Sequence, residues 1–121
     1  MRKLIKQGVS KQNITLIGFS RGAFISALTS HNLAAFEINT VLLAGCGRIV
    51  GNRYQNINIH GHFLSIYETT DGAQSCQKLQ KRSKHILSFE EVDITTGEEH
   101  GAFYRPYPDW IVPLKKWLHA H

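Results

Sequence analysis

The sequence predicts an α/β domain, a parallel sheet of about four strands flanked by helices. Three observations lead there. Strand-like stretches recur at residues 14–19, 40–44, 62–68 and 86–94, the first two largely apolar and the last rich in β-formers at its ends, each of a length that suits a strand. The stretches between them carry helix formers or apolar residues at helical spacing, and strands that alternate with helices form parallel sheets. The chain has 121 residues, 42% hydrophobic and 19% charged, which suits one domain with one core and excludes a disordered chain.

The elements follow in order. Residues 2–7 read as the last turns of a helix, with Gly8 as its cap, because the left-handed residue that ends a helix is usually glycine. Residues 14–19 form a buried strand. Residues 21–35 follow as a helix that packs through Ala23, Phe24, Ala27, Leu28 and Ala34. Residues 40–44 are a second buried strand, ending at Gly45, Cys46 and Gly47. Residues 48–61 are irregular and rich in Asn, with Tyr54 and Ile57 as anchors. The third strand is 62–68, residues 69–72 are a loop, and 73–84 form a helix with a basic face. The fourth strand is 86–94, followed by a loop over 96–101. Asp109 caps a final helix through Leu118, with Trp110, Leu114 and Trp117 at helical spacing as core residues. No internal repeat or low-complexity linker interrupts the single domain, residues 1–121.

The net charge is +5, with short basic clusters at Arg2, Lys3 and Lys6 and at Lys78, Lys81, Arg82 and Lys84. A solvated helix face accounts for these more cheaply than a nucleic-acid groove, so no nucleic-acid partner is expected. No run approaches the roughly 20 apolar residues of a membrane span, and no signal peptide follows Met1. Cytoplasmic placement is the default, with any export signal lying upstream. The two cysteines, Cys46 and Cys76, belong to no C-x-x-C pair, which excludes a zinc ribbon or thioredoxin motif. Two reduced thiols are the default; a single disulfide is the alternative in an exported chain.

In parallel sheets the functional loops lie beyond the C-terminal ends of the strands. Ser20, Cys46, Asp71 and His100 each follow a predicted strand, so their loops should gather at one edge. Ser20 stands at the centre of Gly18-Phe19-Ser20-Arg21-Gly22, a G-x-S-x-G run between an apolar strand and a helix. That context suits a nucleophile elbow, in which the serine occupies a sharp, strained turn. Gly18 and Gly22 lack Cβ atoms and would let strand and helix approach closely. The start of the helix, including the Arg21 backbone N–H, would face a developing oxyanion.

A nucleophilic serine needs a base, and the base needs an acid to orient it. His100 and Asp71 are the candidates; Glu68 is a rival acid, though it falls on the predicted strand. The Arg21 side chain stands at a position that more often faces the helix surroundings; contact with an acidic group on a substrate is the alternative. Tyr104 and Tyr107 would rim a pocket or pack on the sheet. His60 and His62 would share a strand face, but no further ligand run accompanies them, so no metal is expected.

Three segments, Gly18-Phe19-Ser20-Arg21-Gly22, residues 63–71 and residues 99–103, resemble the catalytic segments of small bacterial α/β hydrolases, the dienelactone-hydrolase and carboxylesterase-like branch. The order Ser, Asp, His is that family's order. The resemblance implies Ser20 as nucleophile, Asp71 as acid, His100 as general base and the Arg21 N–H as one oxyanion donor. It implies a serine hydrolase of esters, thioesters or related acyl bonds, with a small-molecule acyl substrate and neither metal nor organic cofactor. Only the tail of one helix precedes the elbow strand, so the likeness is to the C-terminal, catalytic portion of a larger hydrolase domain. The family's second oxyanion donor, from an early strand-to-helix loop, has no counterpart. The alternative expectation is a non-catalytic remnant, or a half completed by a second copy or a partner chain along the open sheet edge.

Overall fold

The computed structural model describes residues 3, 6–8, 13–33, 38–47 and 56–121. Within them β1 (Thr15–Phe19), β2 (Asn39–Leu43), β3 (His60–Glu68) and β4 (His85–Ile94) form one sheet in the order β1-β2-β3-β4. Every neighbouring pair is parallel, with Phe19 opposite Leu43, Leu43 opposite Ile66 and Ile66 opposite Val92. Parallel neighbours need crossover connections, and helices α1 (Arg21–Asn32) and α2 (Gln77–Arg82) lie in two of them. A 3-10 helix (Glu99–Tyr104) and helix α3 (Pro108–Ala120) follow β4. This is the α/β class with the four strands that the apolar runs predict.

Side chains alternate across the strands and build two cores. Leu42 and Phe63 pack with Ala23 and Ala27 of α1 and Leu79 of α2 on one face. Val41, Leu43, Leu64 and Ile66 pack with Ala102, Phe103 and Trp117 on the other, which α3 covers. All five residues of β2 are buried, as a central strand requires. Polar side chains fix where β3 begins. Ser83 Oγ accepts from the Ile59 N–H at 2.9 Å, Ser30 Oγ from the His60 N–H at 3.0 Å and Asn39 Oδ1 from the His62 N–H at 3.2 Å.

Several elements differ from the expectation. Along α1 the buried stripe is Ala23, Ser26, Ala27 and Ser30, while Leu28 is 38% exposed. Small side chains let this helix lie against the sheet; Phe24 packs beside them, partly buried, and Ile25 and Leu28 turn outward. Helix α2 begins at Gln77, not 73. Residues 73–76 are held otherwise: Gln74 bridges Cys46, and Glu91 accepts from Ser75 Oγ and from the Cys76 N–H at 2.7 Å. The sequence default of reduced thiols is corrected as well. Cys46 and Cys76 form a disulfide, with Cα atoms 5.2 Å apart. Asp109 does not cap the last helix, which starts at Pro108 behind Tyr107; proline's fixed φ suits a first helical position. Trp117 is buried at 2% exposure, as expected of a core residue, and Trp110 is partly buried against the same core.

Before β1, the Gln7 N–H donates to the Lys3 carbonyl at 3.0 Å and Gly8 has φ +92°, which fits a glycine-capped helix end. Most of that stretch, together with Ala34 and Tyr54, lies outside the described residues. Ile57, the other expected anchor, is buried at 4% exposure. Among the described residues no helix is long and apolar enough to cross a membrane.

Candidate active site

The chain leaves β1 at Phe19 and enters α1 at Arg21, so the whole reversal falls on Ser20. Ser20 has φ 56° and ψ −113°, a left-handed conformation that costs a non-glycine residue energy. Its N–H still continues the sheet, donating to the Leu43 carbonyl at 3.1 Å, and its own carbonyl accepts from the Ala23 and Phe24 N–H groups. The side chain is thereby lifted off the C-terminal edge of the sheet. Two further non-glycine residues with positive φ, Ala44 (51°) and Glu99 (53°), lie beyond the ends of β2 and β4. Strain of this kind concentrates at functional sites.

Three predicted site residues meet at that edge. His100 Nε2 lies 2.8 Å from Ser20 Oγ, and His100 Nδ1 lies 2.7 Å from Asp71 Oδ2. Asp71 sits in the turn after β3, where its N–H donates to the Glu68 carbonyl at 3.0 Å. His100 is carried by the 3-10 helix, which replaces the simple loop expected there. The Asp71 side chain is 8% exposed and that of His100 36%, so the carboxylate is shielded while the imidazole is open to an incoming molecule. The carboxylate accepts the Nδ1–H, which leaves Nε2 free to accept the Ser20 hydroxyl proton. An imidazole so placed can draw that proton away as the oxygen forms a new bond.

Arg21 opens α1, and the first N–H groups of a helix have no intrahelical acceptor, so its backbone donor, next to Ser20 in the chain, is not used within the helix. Its side chain is exposed. Phe19 was not singled out in the sequence, although it directly precedes the serine. Its ring centroid lies 4.8 Å from that of His100 and 5.4 Å from that of Tyr104, which meets it edge-on. Tyr104 is 73% exposed and rims the site, whereas the Tyr107 hydroxyl donates to Glu98 at 2.7 Å.

Glu68, the rival acid, is fully buried at the end of β3 and turns to the two loops. Oε1 accepts from the Thr70 N–H, and the Thr70 hydroxyl reaches both oxygens at 2.8 and 2.9 Å. Oε2 accepts from Thr96 Oγ1 at 2.9 Å and from the Glu99 N–H at 3.0 Å. Burial alone would raise its pKa, but these donors outweigh it and hold the carboxyl at about 2.

Cys46 reaches the same region but is spent in the disulfide. His60 and His62 both lie on β3: the His60 ring stacks on His85, and His62 Nδ1 lies 2.6 Å from Ser88 Oγ. Among the described residues no group of three His, Cys, Asp or Glu side chains is placed to hold a metal ion. Lys78 and Lys81 are exposed on α2, while Arg82 turns back to donate to the Ile57 carbonyl at 3.1 Å.

No family model matches the chain, and no curated protein or solved structure matches it significantly.

Proposed function

We propose that this chain is a serine hydrolase acting on an ester, thioester or related acyl bond. The observation that carries the reading is the pair of distances at His100, 2.8 Å to Ser20 Oγ and 2.7 Å to Asp71 Oδ2, with Ser20 held at φ 56°. Ser20 Oγ attacks the acyl carbonyl carbon while His100 Nε2 takes its proton. The carbonyl oxygen becomes an oxyanion, stabilised by the Arg21 N–H. Asp71 keeps the imidazole in the tautomer that accepts at Nε2 and stabilises the imidazolium. His100 then returns the proton to the leaving group as the carbon–oxygen or carbon–sulfur bond breaks. Water, activated by the same imidazole, releases the acyl group from Ser20. Phe19 and Tyr104 offer an aromatic wall beside His100, which favours substrates with an apolar group next to the scissile bond.

A fluorophosphonate probe tests the reading. The folded chain is expected to take one label on Ser20 and to hydrolyse nitrophenyl esters, and Ser20→Ala to do neither. A folded wild-type chain that takes no label, or a label that survives Ser20→Ala, overturns it.

The second reading is a half-site completed by another chain. Among the described residues β1 pairs on one side only, and Ile17 on it and Ile25 on α1 are 47% and 62% exposed. Sedimentation of the purified chain separates the two: a monomer that turns over ester excludes the second.

A further inference from the structure

We propose that Glu68 is a positioning residue that ties the Asp71 loop to the His100 loop and so sets the reach of the imidazole to Ser20; this rests on the hydrolase reading above. Its carboxylate is fully buried at the last position of β3, beneath both loops. Thr70, next to Asp71, donates to it through both backbone and hydroxyl. Thr96 donates from the loop after β4, and the Glu99 N–H donates from the residue before His100. One side chain therefore joins the immediate neighbours of an acid and a base that lie 29 positions apart in the chain.

The grip falls where the backbone needs it. Glu99 has φ 53°, a conformation that a non-glycine residue keeps only when its surroundings impose it. Its N–H is held by a charged acceptor, and hydrogen bonds to charged groups are the stronger kind. Glutamate suits this position because four donor groups converge on it: the Thr70 N–H, the Thr70 and Thr96 hydroxyls and the Glu99 N–H. An ionised carboxylate only accepts, and its two oxygens have lone pairs for all of them. Glutamine would turn its amide N–H₂ toward one of these donors. The hydroxyls can rotate to accept, but the Thr70 N–H on Oε1 and the Glu99 N–H on Oε2 cannot, so either orientation of the amide sets an N–H against one of them. The same donors hold the Glu68 carboxyl at about 2, so the clamp stays ionised into strongly acidic solution.

The test uses the whole chain as wild type, Glu68→Gln and Thr96→Val, with two readouts. The first is the low-field proton resonance of the imidazole N–H shared with Asp71. The second is the separate kcat and KM for a nitrophenyl ester. Glu68→Gln is expected to broaden or shift the resonance and to lower kcat about 10²-fold, with KM changed by less than about threefold. Thr96→Val removes one donor and is expected to act in the same direction, lowering kcat about tenfold. If Glu68→Gln does not fold, Thr96→Val decides alone. Folded variants that keep both the resonance and the wild-type kcat overturn the proposal, as does a folded wild type with no such resonance. If wild type takes no fluorophosphonate label while Glu68→Gln loses the resonance, the hydrolase reading fails and the positioning role stands.

Discussion

Gly18 lies so close to Gly22 that a Cβ at position 18 would overlap the Gly22 carbonyl and come 2.5 Å from Ser26 Oγ, whereas a Cβ at position 22 meets nothing within 4 Å. The two glycines flank Ser20 symmetrically in sequence but carry different burdens. Gly18→Ala must push β1 and α1 apart and is expected to cost about 1–3 kcal/mol. Gly22 has an ordinary helical φ, so Gly22→Ala is expected to be neutral or stabilising by up to about 1 kcal/mol. Thermal melts of the two variants check the contrast. Equal destabilisation would mean that the close approach is not where the structure puts it.

Asp71→Asn keeps the size of the side chain but lets its amide donate toward His100, which favours the tautomer with its proton on Nε2. Turnover of a nitrophenyl ester is expected to fall by about 10⁴-fold with little change in KM. Adding His100→Ala should cost far less than the product of the single effects, because the groups act as a unit. Kinetics of the single and double variants read this directly.

Glu68 makes stability depend on acid. Its folded pKa of about 2 lies below the ordinary 4.5, so the unfolded chain binds the proton more readily. The contribution is fully present above about pH 4.5 and is lost as pH falls toward 2. Urea melts between pH 6 and 2 should show this loss in wild type, and a Glu68→Gln variant should show a shallower fall over the same window.

Reduction of the disulfide between Cys46 and Cys76 opens a loop between positions 30 apart. It is expected to lower stability by about 2–4 kcal/mol. Melts with and without dithiothreitol measure it, and a Cys46→Ser, Cys76→Ser double variant should match the reduced wild type and be indifferent to the reagent.

The strands were legible because a strand buried in a parallel sheet reads as a near-continuous apolar run, as 40–44 does, and because 62–68 is rich in β-formers. Ser20 was legible because a glycine-serine-glycine turn between a strand and a helix is a local signal. What escaped was set from a distance. Helix α2 starts late because Glu91, on β4, takes the Cys76 N–H, and because Cys46 holds Cys76. Nothing near residue 73 announces either partner. The 3-10 helix that carries His100 begins at Glu99, a residue in a conformation no glycine marks, held by a side chain on another strand. The stripe that α1 buries was legible in part. Ala23, Ala27 and the partly buried Phe24 pack as expected, but Leu28 is exposed and the tight approach of helix to sheet gives its place to Ser26 and Ser30.

The all-parallel order of the sheet has a temporal side. Each strand can join its neighbour only after a crossover has closed, and contacts so distant in sequence form late. Ser20 meets an imidazole that lies 80 positions further along. A chain emerging from the ribosome N-terminus first therefore carries its serine without that imidazole until 80 further residues have been made. The Ser20 turn needs only β1, α1 and β2, whose Leu43 carbonyl accepts from its N–H, whereas its partner requires β4 and the 3-10 helix as well. Labelling of Ser20 during refolding would then report the completion of the sheet, and recovery of helical signal alone would precede it.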